Sequence, residues 1–410
     1  MKNSLIYLFL LLFSFFLAGC GNGIVNDSYI NKRDLTPLEK VVVEKSNTFA
    51  FKALKEINEQ SLNKNLFISP LSLYMALGMT YNGAYKTSKD AMAQVLDIAG
   101  LSDQEFNESA KSLIQLLITL DPQLIMKIAN SIWIRNGFPV ENEFININKN
   151  YFNAQVSSLD FTNPNSREVI NNWVKTNTAG YIEKIIDNIP SQMVMYMINA
   201  VYFEGKWTTP FNKKLTYSGK FHLSGGSVKT VLMMKQHNDF NTYFGNTFVG
   251  VDLPYGSGGF SFTVLLPHEN YDVESLIGSL NPEDWSKLIN EFSKQEAYIS
   301  IPKFKFEFEV DDLKEALTQL GMGICFDPGY ADFTRINKDG GLYIDEAKHK
   351  TYIEVDEEGT KAAAVTSIGI GRVSLPPQII CDRPFLFIIR EKKSESILFI
   401  GKVTDPVYEN

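Results

Sequence analysis

The feature that most constrains this 410-residue chain is the stretch from Glu358 to Pro377 (EGTKAAAVTSIGIGRVSLPP), which lies between two segments patterned as strands. It is too long for an ordinary hairpin loop, and connections of that length are usually functional or disordered. Its composition is also wrong for a surface loop, because alanine, valine and isoleucine stand where Asn, Asp and Lys would be expected. Read with period two, Thr360, Ala362, Ala364, Thr366, Ile368 and Ile370 share one face, small at first and apolar at its end. Lys361, Ala363, Val365, Ser367, Gly369 and Gly371 share the other. Such a segment suits a strand in the middle of a sheet, with the first set facing the core. It is a loop that could become a strand, although composition alone equally allows Lys361 to Val365 to continue as an ordinary strand or short helix.

The N-terminus must be set aside before any fold reasoning. Lys2 precedes an apolar run from Leu5 to Ala18, which ends in Leu17-Ala18-Gly19-Cys20. The run is short for a bilayer span, and small residues before a cysteine suit a peptidase that cleaves at a lipidated thiol. Residues 1–20 therefore read as a lipoprotein signal peptide, the other reading being an ordinary signal peptide cut elsewhere. Mature Cys20 would carry fatty acyl chains such as palmitate, and more than one chain is what stable anchoring needs. The expectation is an exported protein anchored by lipid to a bacterial membrane, with the periplasmic or outer face left open. Residues 21–37 are polar, with scattered turn formers, and read as a tether.

Residues 38–410 form one expected domain. The chain is 44% hydrophobic and rich in Phe and Tyr, enough for one large core, and shows neither an internal repeat nor a second linker. A formal net charge of -8 argues against nucleic acid as a partner. With Cys20 consumed by lipid, Cys325 and Cys381 imply no disulfide framework; they read as small apolar residues, with pairing as the alternative.

Helical periodicity predicts helices over Glu39–Ile57, from Ser69-Pro70 to about Tyr81, and over Ser88–Leu96, Asp103–Leu120, Glu141–Asn148 and Ser166–Thr178. Ser69 is placed to cap the second of these and Pro70 to take its first position. Strands are predicted over Leu124–Ile134 and Ala154–Phe161, then over Met193–Phe203, Val228–Lys235, Thr247–Leu253, Phe260–Leu266, Ala297–Glu309 and Tyr343–Val355. Helices return near Val273–Glu291 and Asp311–Leu320. Phe385–Ile389 and Ile397–Val403, separated by Arg390-Glu391-Lys392-Lys393, read as a closing hairpin. Helices first and several sheets later indicate an α+β fold.

A search for reactive chemistry finds little. The four histidines, His222, His237, His268 and His349, occur in no zinc-binding spacing. Tyr255-Gly256-Ser257-Gly258-Gly259 has the wrong spacing for a nucleophile elbow and fits a turn between strands. No phosphate or dinucleotide loop is present, so neither metal nor cofactor is expected.

The run from Glu357 to Thr366 resembles the hinge of the reactive-centre loop of serpins, with Glu357, Glu358, Gly359, Thr360, Lys361 and the small Ala362-Ala363-Ala364 where a chain must slide between two strands. The resemblance covers nearly the whole mature chain in family order. It includes Asn65-Leu66-Phe67-Ile68-Ser69-Pro70-Leu71-Ser72, Asn199-Ala200-Val201-Tyr202-Phe203-Glu204-Gly205-Lys206-Trp207, Ile301-Pro302-Lys303-Phe304, Arg383-Pro384-Phe385 and Phe399-Ile400-Gly401-Lys402-Val403. It implies a serpin fold, with about nine helices, three β-sheets and an exposed loop over about 358–377. Ser69, Ser72, Asn199 and His349 match the family's shutter under the sheet; singly, each also reads as a cap or a satisfied polar group. Trp207 matches the breach above it, and Lys303 with Glu357 a pair at the base of the loop. If exposed, that pair would contribute about 0–1 kcal/mol.

The resemblance further implies a suicide-substrate inhibitor of serine proteases that is not itself an enzyme. The target's serine attacks the loop, the cleaved loop enters the sheet as a strand, and the protease is carried along as an acyl-enzyme. Family spacing, counted forward from Gly359 and backward from Pro384, lands on Val373 as the primary specificity residue, so Val373-Ser374 is the expected bond. Valine suits a small apolar pocket of the elastase kind, while Arg372-Val373 would make a trypsin-like site. Other readings are a non-inhibitory carrier or chaperone, a lipid-anchored binding protein, and an inhibitor of cysteine proteases. A monomer is expected.

Overall fold

The computed structural model describes residues 34–359 and 376–408. Expectations for Cys20, for Thr360, Lys361, Ala362, Ala363 and Ala364, and for Arg372, Val373 and Ser374 fall outside those residues.

Local chemistry starts the helices where the sequence puts them. Thr36 Oγ1 accepts from Glu39 N at 3.2 Å while Glu39 Oε2 accepts from Thr36 N at 2.7 Å, and Pro37 takes the first helical position. The first helix, α1 (Pro37–Glu59), thus begins at the end of the expected tether. Ser69 caps α2 (Pro70–Tyr81), and α3 (Lys86–Val95), α4 (Asp103–Thr119), α5 (Asn142–Phe152) and α6 (Asn165–Asn177) follow. The single helix expected over 273–291 is two, α7 (Val273–Ser279) and α8 (Pro282–Glu291), because Asn281 caps a fresh start by accepting from Asp284 N at 2.9 Å. The last helix, α9 (Leu313–Leu317), makes nine among the described residues.

The strands are β1 (Leu66–Ile68), β2 (Leu124–Arg135), β3 (Gln155–Leu159), β4 (Met195–Gly205), β5 (Tyr217–His222), β6 (Val228–Phe244) and β7 (Phe248–Tyr255). They continue as β8 (Phe260–Pro267), β9 (Ser293–Pro302), β10 (Phe304–Glu309), β11 (Lys350–Val355), β12 (Gln378–Ile380), β13 (Phe385–Glu391) and β14 (Ile397–Val403). They form three hydrogen-bonded sheets. One runs β3-β2-β4, a second is β10-β11, and the third runs β1-β14-β13-β8-β7-β6-β9-β12 with β5 on β6. The fold is the expected α+β architecture, with the expected closing hairpin of β13 and β14.

Two strand expectations need correction. Ala297–Glu309 is not one strand: β9 belongs to the nine-stranded sheet and β10 to the two-stranded one, and the chain turns between them at Pro302-Lys303, where Lys303 N donates to Leu232 O at 2.8 Å. Tyr343–Val355 becomes a strand only at Lys350. Its neighbour β10 ends opposite Lys350 at Glu309, so residues 343–349 have strand-like side chains but no adjacent ladder. In addition, β1, β5 and β12 were not anticipated, and β6 continues well beyond Lys235.

The period-two faces of β4 pack in opposite directions. Tyr196 and Ile198 join Ile170 and Val174 of α6 in a small outer cluster, whereas Met197, Val201 and Phe203 face the main core beside α2. Cys325 and Cys381 are both buried in that core as free thiols, so the pairing alternative is not realised.

Candidate functional site

Along one edge β4 pairs with β2, from Leu124↔Gly205 to Ile134↔Met195, and β11 pairs with β10, from Phe304↔Val355 to Glu309↔Lys350. No ladder among the described residues joins β4 to β11, so a slot separates the two sheets. Three cavities follow one another along it. The first is lined by Val201, Tyr202 and Phe203 on one lip and by Tyr352, Ile353 and Glu354 on the other. The second is bordered by Ser72, Ala200, Asn199 and His349, and the third, of about 380 Å³, by Met195, Met197, Leu342 and Ile344. Strand edges lining an apolar slot offer backbone donors and acceptors that an extended segment can satisfy.

Ser69, Ser72, Asn199 and His349, the residues expected of a shutter, come together beneath the slot. Ser69 N donates to His349 Nε2 at 2.9 Å, and Ser69 Oγ donates to Leu398 O at 2.8 Å while accepting from Ser72 N at 3.3 Å. Ser72 Oγ donates in turn to Asn199 Oδ1 on β4. Asn199 Nδ2 passes the chain on to Asn130 Oδ1 at 2.6 Å, and Asn130 Nδ2 ends it on Phe152 O at 2.6 Å. Asn130 was missed in the sequence, where nothing local distinguishes it. Burial drives the His349 pKa down to about 3, so the imidazole is neutral and its Nε2 acts as an acceptor. The cluster ties α2 to both lips: Asn199 is on β4, and His349 directly precedes β11.

A second cluster holds the hinge at the top of the slot. Lys303 Nζ lies 2.7 Å from Glu357 Oε2, and Glu357 Oε1 accepts from Thr216 Oγ1 at 2.7 Å. Glu357 is buried and Lys303 largely so, so the estimate for an exposed pair does not apply. Burial alone would raise the Glu357 pKa, but the bonds from Lys303 and Thr216 outweigh it and hold the carboxyl below its ordinary value. The Lys303 ammonium also lies 4.3 Å from the Tyr408 ring centroid. Glu358 pairs with Lys213, and its carbonyl accepts from Trp207 N at 3.2 Å.

Trp207 is fixed by three aromatic neighbours and one hydrogen bond. Its ring stacks on Tyr255 at 4.5 Å and 9°, meets Phe211 and Phe262 edge-on, and donates from Nε1 to Asp356 O at 2.9 Å. Tyr255 ends β7 at the glycine-rich turn, where its pairing with Phe260 of β8 fixes the ring. Gly359 bridges to Lys206 with φ of 116°, and a Cβ there would stand 2.5 Å from Gly205 O and 2.6 Å from Trp207 N. Only glycine fits that close approach.

From Pro376 the chain leads into β12, which pairs in parallel with β9 at the edge of the nine-stranded sheet. The connection therefore leaves from the top of the slot and returns on a different sheet.

These features have close counterparts. The profile of the family described as serpin (serine protease inhibitor) matches residues 44–406. Human neuroserpin is 31% identical over 385 residues, covering 88% of this chain and 92% of the relative. The crystal structure of the thermophilic serpin tengpin in its native state superposes with a TM-score of 0.81 at 32% identity, covering 92% of this chain and 96% of that one. Human thyroxine-binding globulin complexed with thyroxine reaches a TM-score of 0.82 at 26% identity, over 90% of this chain and 100% of the other.

Proposed function

The chain belongs to the serpin family of serine protease inhibitors, and from that premise we propose that it is a lipid-anchored suicide-substrate inhibitor of elastase-like proteases. The observation that carries this reading is the hinge: Asp356 to Gly359 is bound at the head of a slot whose two lips share no ladder. A segment that follows Gly359 starts at the mouth of the space it would fill. The residues that follow, Thr360 and Ala362-Ala363-Ala364, are small enough to pass between strands. Insertion would add a central strand and release stored strain, a type of switch for which serpins are themselves a standard example.

The inhibitor supplies no catalytic group. The target's serine attacks the Val373 carbonyl, the Val373-Ser374 bond breaks, and Ser374 leaves as a new N-terminus while the acyl-enzyme remains on Val373. Entry of the loop then displaces the attached protease before water reaches the ester. Arg372-Val373 is the alternative bond, for trypsin-like targets, and a thiol nucleophile would attack in the same manner. Leu17-Ala18-Gly19-Cys20 supports acylation at Cys20 and display of the monomer on a bacterial membrane.

The likeness to thyroxine-binding globulin favours a second reading, a carrier in which the loop is only a substrate. An SDS-stable band with elastase, lost in Thr360→Arg, is expected of the inhibitor. Loop cleavage with no covalent band would favour the carrier.

A further inference from the structure

Tyr181, in the connection between α6 and β4, stacks on tyrosines from both lips of the slot. Its ring lies 5.8 Å and 15° from Tyr202 of β4, and 4.6 Å and 18° from Tyr352 of β11. We propose that Tyr181 is a clamp that holds the two lips together and sets the rate at which a strand enters between them. The proposal rests on the reading above, that this slot opens to admit a strand.

Each ring of the clamp is held in its own way. Tyr202 OH donates to Glu204 Oε2 at 2.5 Å, two residues along the same strand. Tyr352 OH donates to Glu354 Oε2 at 3.1 Å, and the other oxygen of that carboxylate accepts from Tyr408 OH at 3.0 Å. The lips therefore carry their tyrosines with them when they move.

Tyr181 is presented by a fixed turn. After α6, Ala179 and Gly180 adopt φ of 51° and 90°, with Gly180 N donating to Lys175 O at 2.8 Å and Tyr181 N to Thr178 O at 3.0 Å. Ile182 is buried beside Ile170 and Val174, and its N donates to Thr178 Oγ1 at 3.2 Å. Farther along, Asn171 Oδ1 accepts from Ile185 N and Ile186 N at 3.0 and 3.1 Å. These bonds fasten the Tyr181 turn to α6, and Ile182, Ile170 and Val174 pack with Tyr196 and Ile198 of β4, so the ring stays with the β4 lip when β11 moves away.

Neighbouring strands stand about 4.8 Å apart, so an added strand moves the lips apart by about that much. Aromatic pairs are attractive only to a centroid separation of about 7 Å, and Tyr181 can then keep one partner at most. Tyr202 and Tyr352 lie just below Trp207 and the hinge, so an entering segment meets the clamp early. An aromatic pair of ordinary strength is worth roughly two- to tenfold in rate if it is lost on the way to the open state.

The test follows entry of a fluorescent peptide with the sequence of residues 360–373 into the mature, intact protein. Tyr181→Ala is expected to take it up roughly two- to tenfold faster than the parent, while Tyr181→Phe stays close to the parent rate. The alanine variant should also melt earlier when intact but not after loop cleavage, because the expanded sheet no longer uses the stack. Equal uptake rates overturn the clamp while leaving the inhibitor reading intact, and an equal loss of stability in both forms does the same by reducing Tyr181 to packing. If no variant takes up peptide and loop cleavage does not raise thermal stability, strand insertion fails and the clamp falls with it.

Discussion

Lys303 Nζ meets Glu357 Oε2 at 2.7 Å with the two side chains only 13% and 5% exposed, so a buried ion pair joins the corner between β9 and β10 to the base of the hinge. Removing one member strands the other charge, which for a buried pair costs about 3–5 kcal/mol. Lys303→Met should therefore lower the thermal midpoint of the intact protein markedly. Lys303→Met combined with Glu357→Gln should recover part of the loss, because no unpaired charge is left. A double variant no more stable than the single would show that the lysine acts through packing on Tyr408.

Gly359 is the point where the hinge touches the end of β4. Its φ of 116° is strained for any residue with a Cβ, and the added atom would meet backbone rather than a side chain able to yield. Gly359→Ala should destabilise the intact form by roughly 1–3 kcal/mol, read as an earlier unfolding transition. An unchanged midpoint would mean that the hinge does not hold this conformation in solution.

The contrast between these two sites and the rest shows what a sequence reveals. The start of α2 was legible because a cap is a local event: Ser69 and Pro70 act on their own turn, although the same kind of signal at Asn281-Pro282 went unread. The stretch after Gly359 stood out because alanine, valine and isoleucine take the place of the Asn, Asp and Lys expected of a surface loop. The partner of Trp207 was not, since Tyr255 is brought to it by the pairing of β7 with β8 and looks like an ordinary turn residue. Asn130 was hidden likewise, its role existing only once β2 and β4 align Asn130 with Asn199. Residues 343–349 misled for the converse reason: alternation reports a strand's side chains, but a ladder also needs a neighbour, and here the neighbouring position is the slot.

The bond that is cut can be fixed by mass. Two counts, one from the hinge glycine and one from Pro384, meet at Val373, and they use different parts of the chain. After incubation with elastase, the C-terminal fragment should begin at Ser374. A fragment beginning at Val373, formed preferentially with trypsin, would move the specificity residue to Arg372 and the target class with it.

The bond between Ser69 and His349 makes the fold sensitive to acid in a definite direction. His349 accepts a hydrogen bond from Ser69 N, and a protonated imidazole has no lone pair left for it. Its pKa is about 3 in the folded protein, against an ordinary 6.5 when the chain is unfolded. Between those values the unfolded chain binds the extra proton, so stability rises with pH. The contribution is complete above about pH 6.5, declines as the pH falls below it, and stops declining near pH 3, where the folded imidazole also protonates. His349→Gln keeps an acceptor without a titrating group. Unfolding midpoints measured from pH 7.5 to 4.5 should therefore fall more steeply for the parent than for this variant, with the two curves diverging as the pH drops. Parallel curves would mean that the histidine is already protonated, or already released from Ser69, in the closed form.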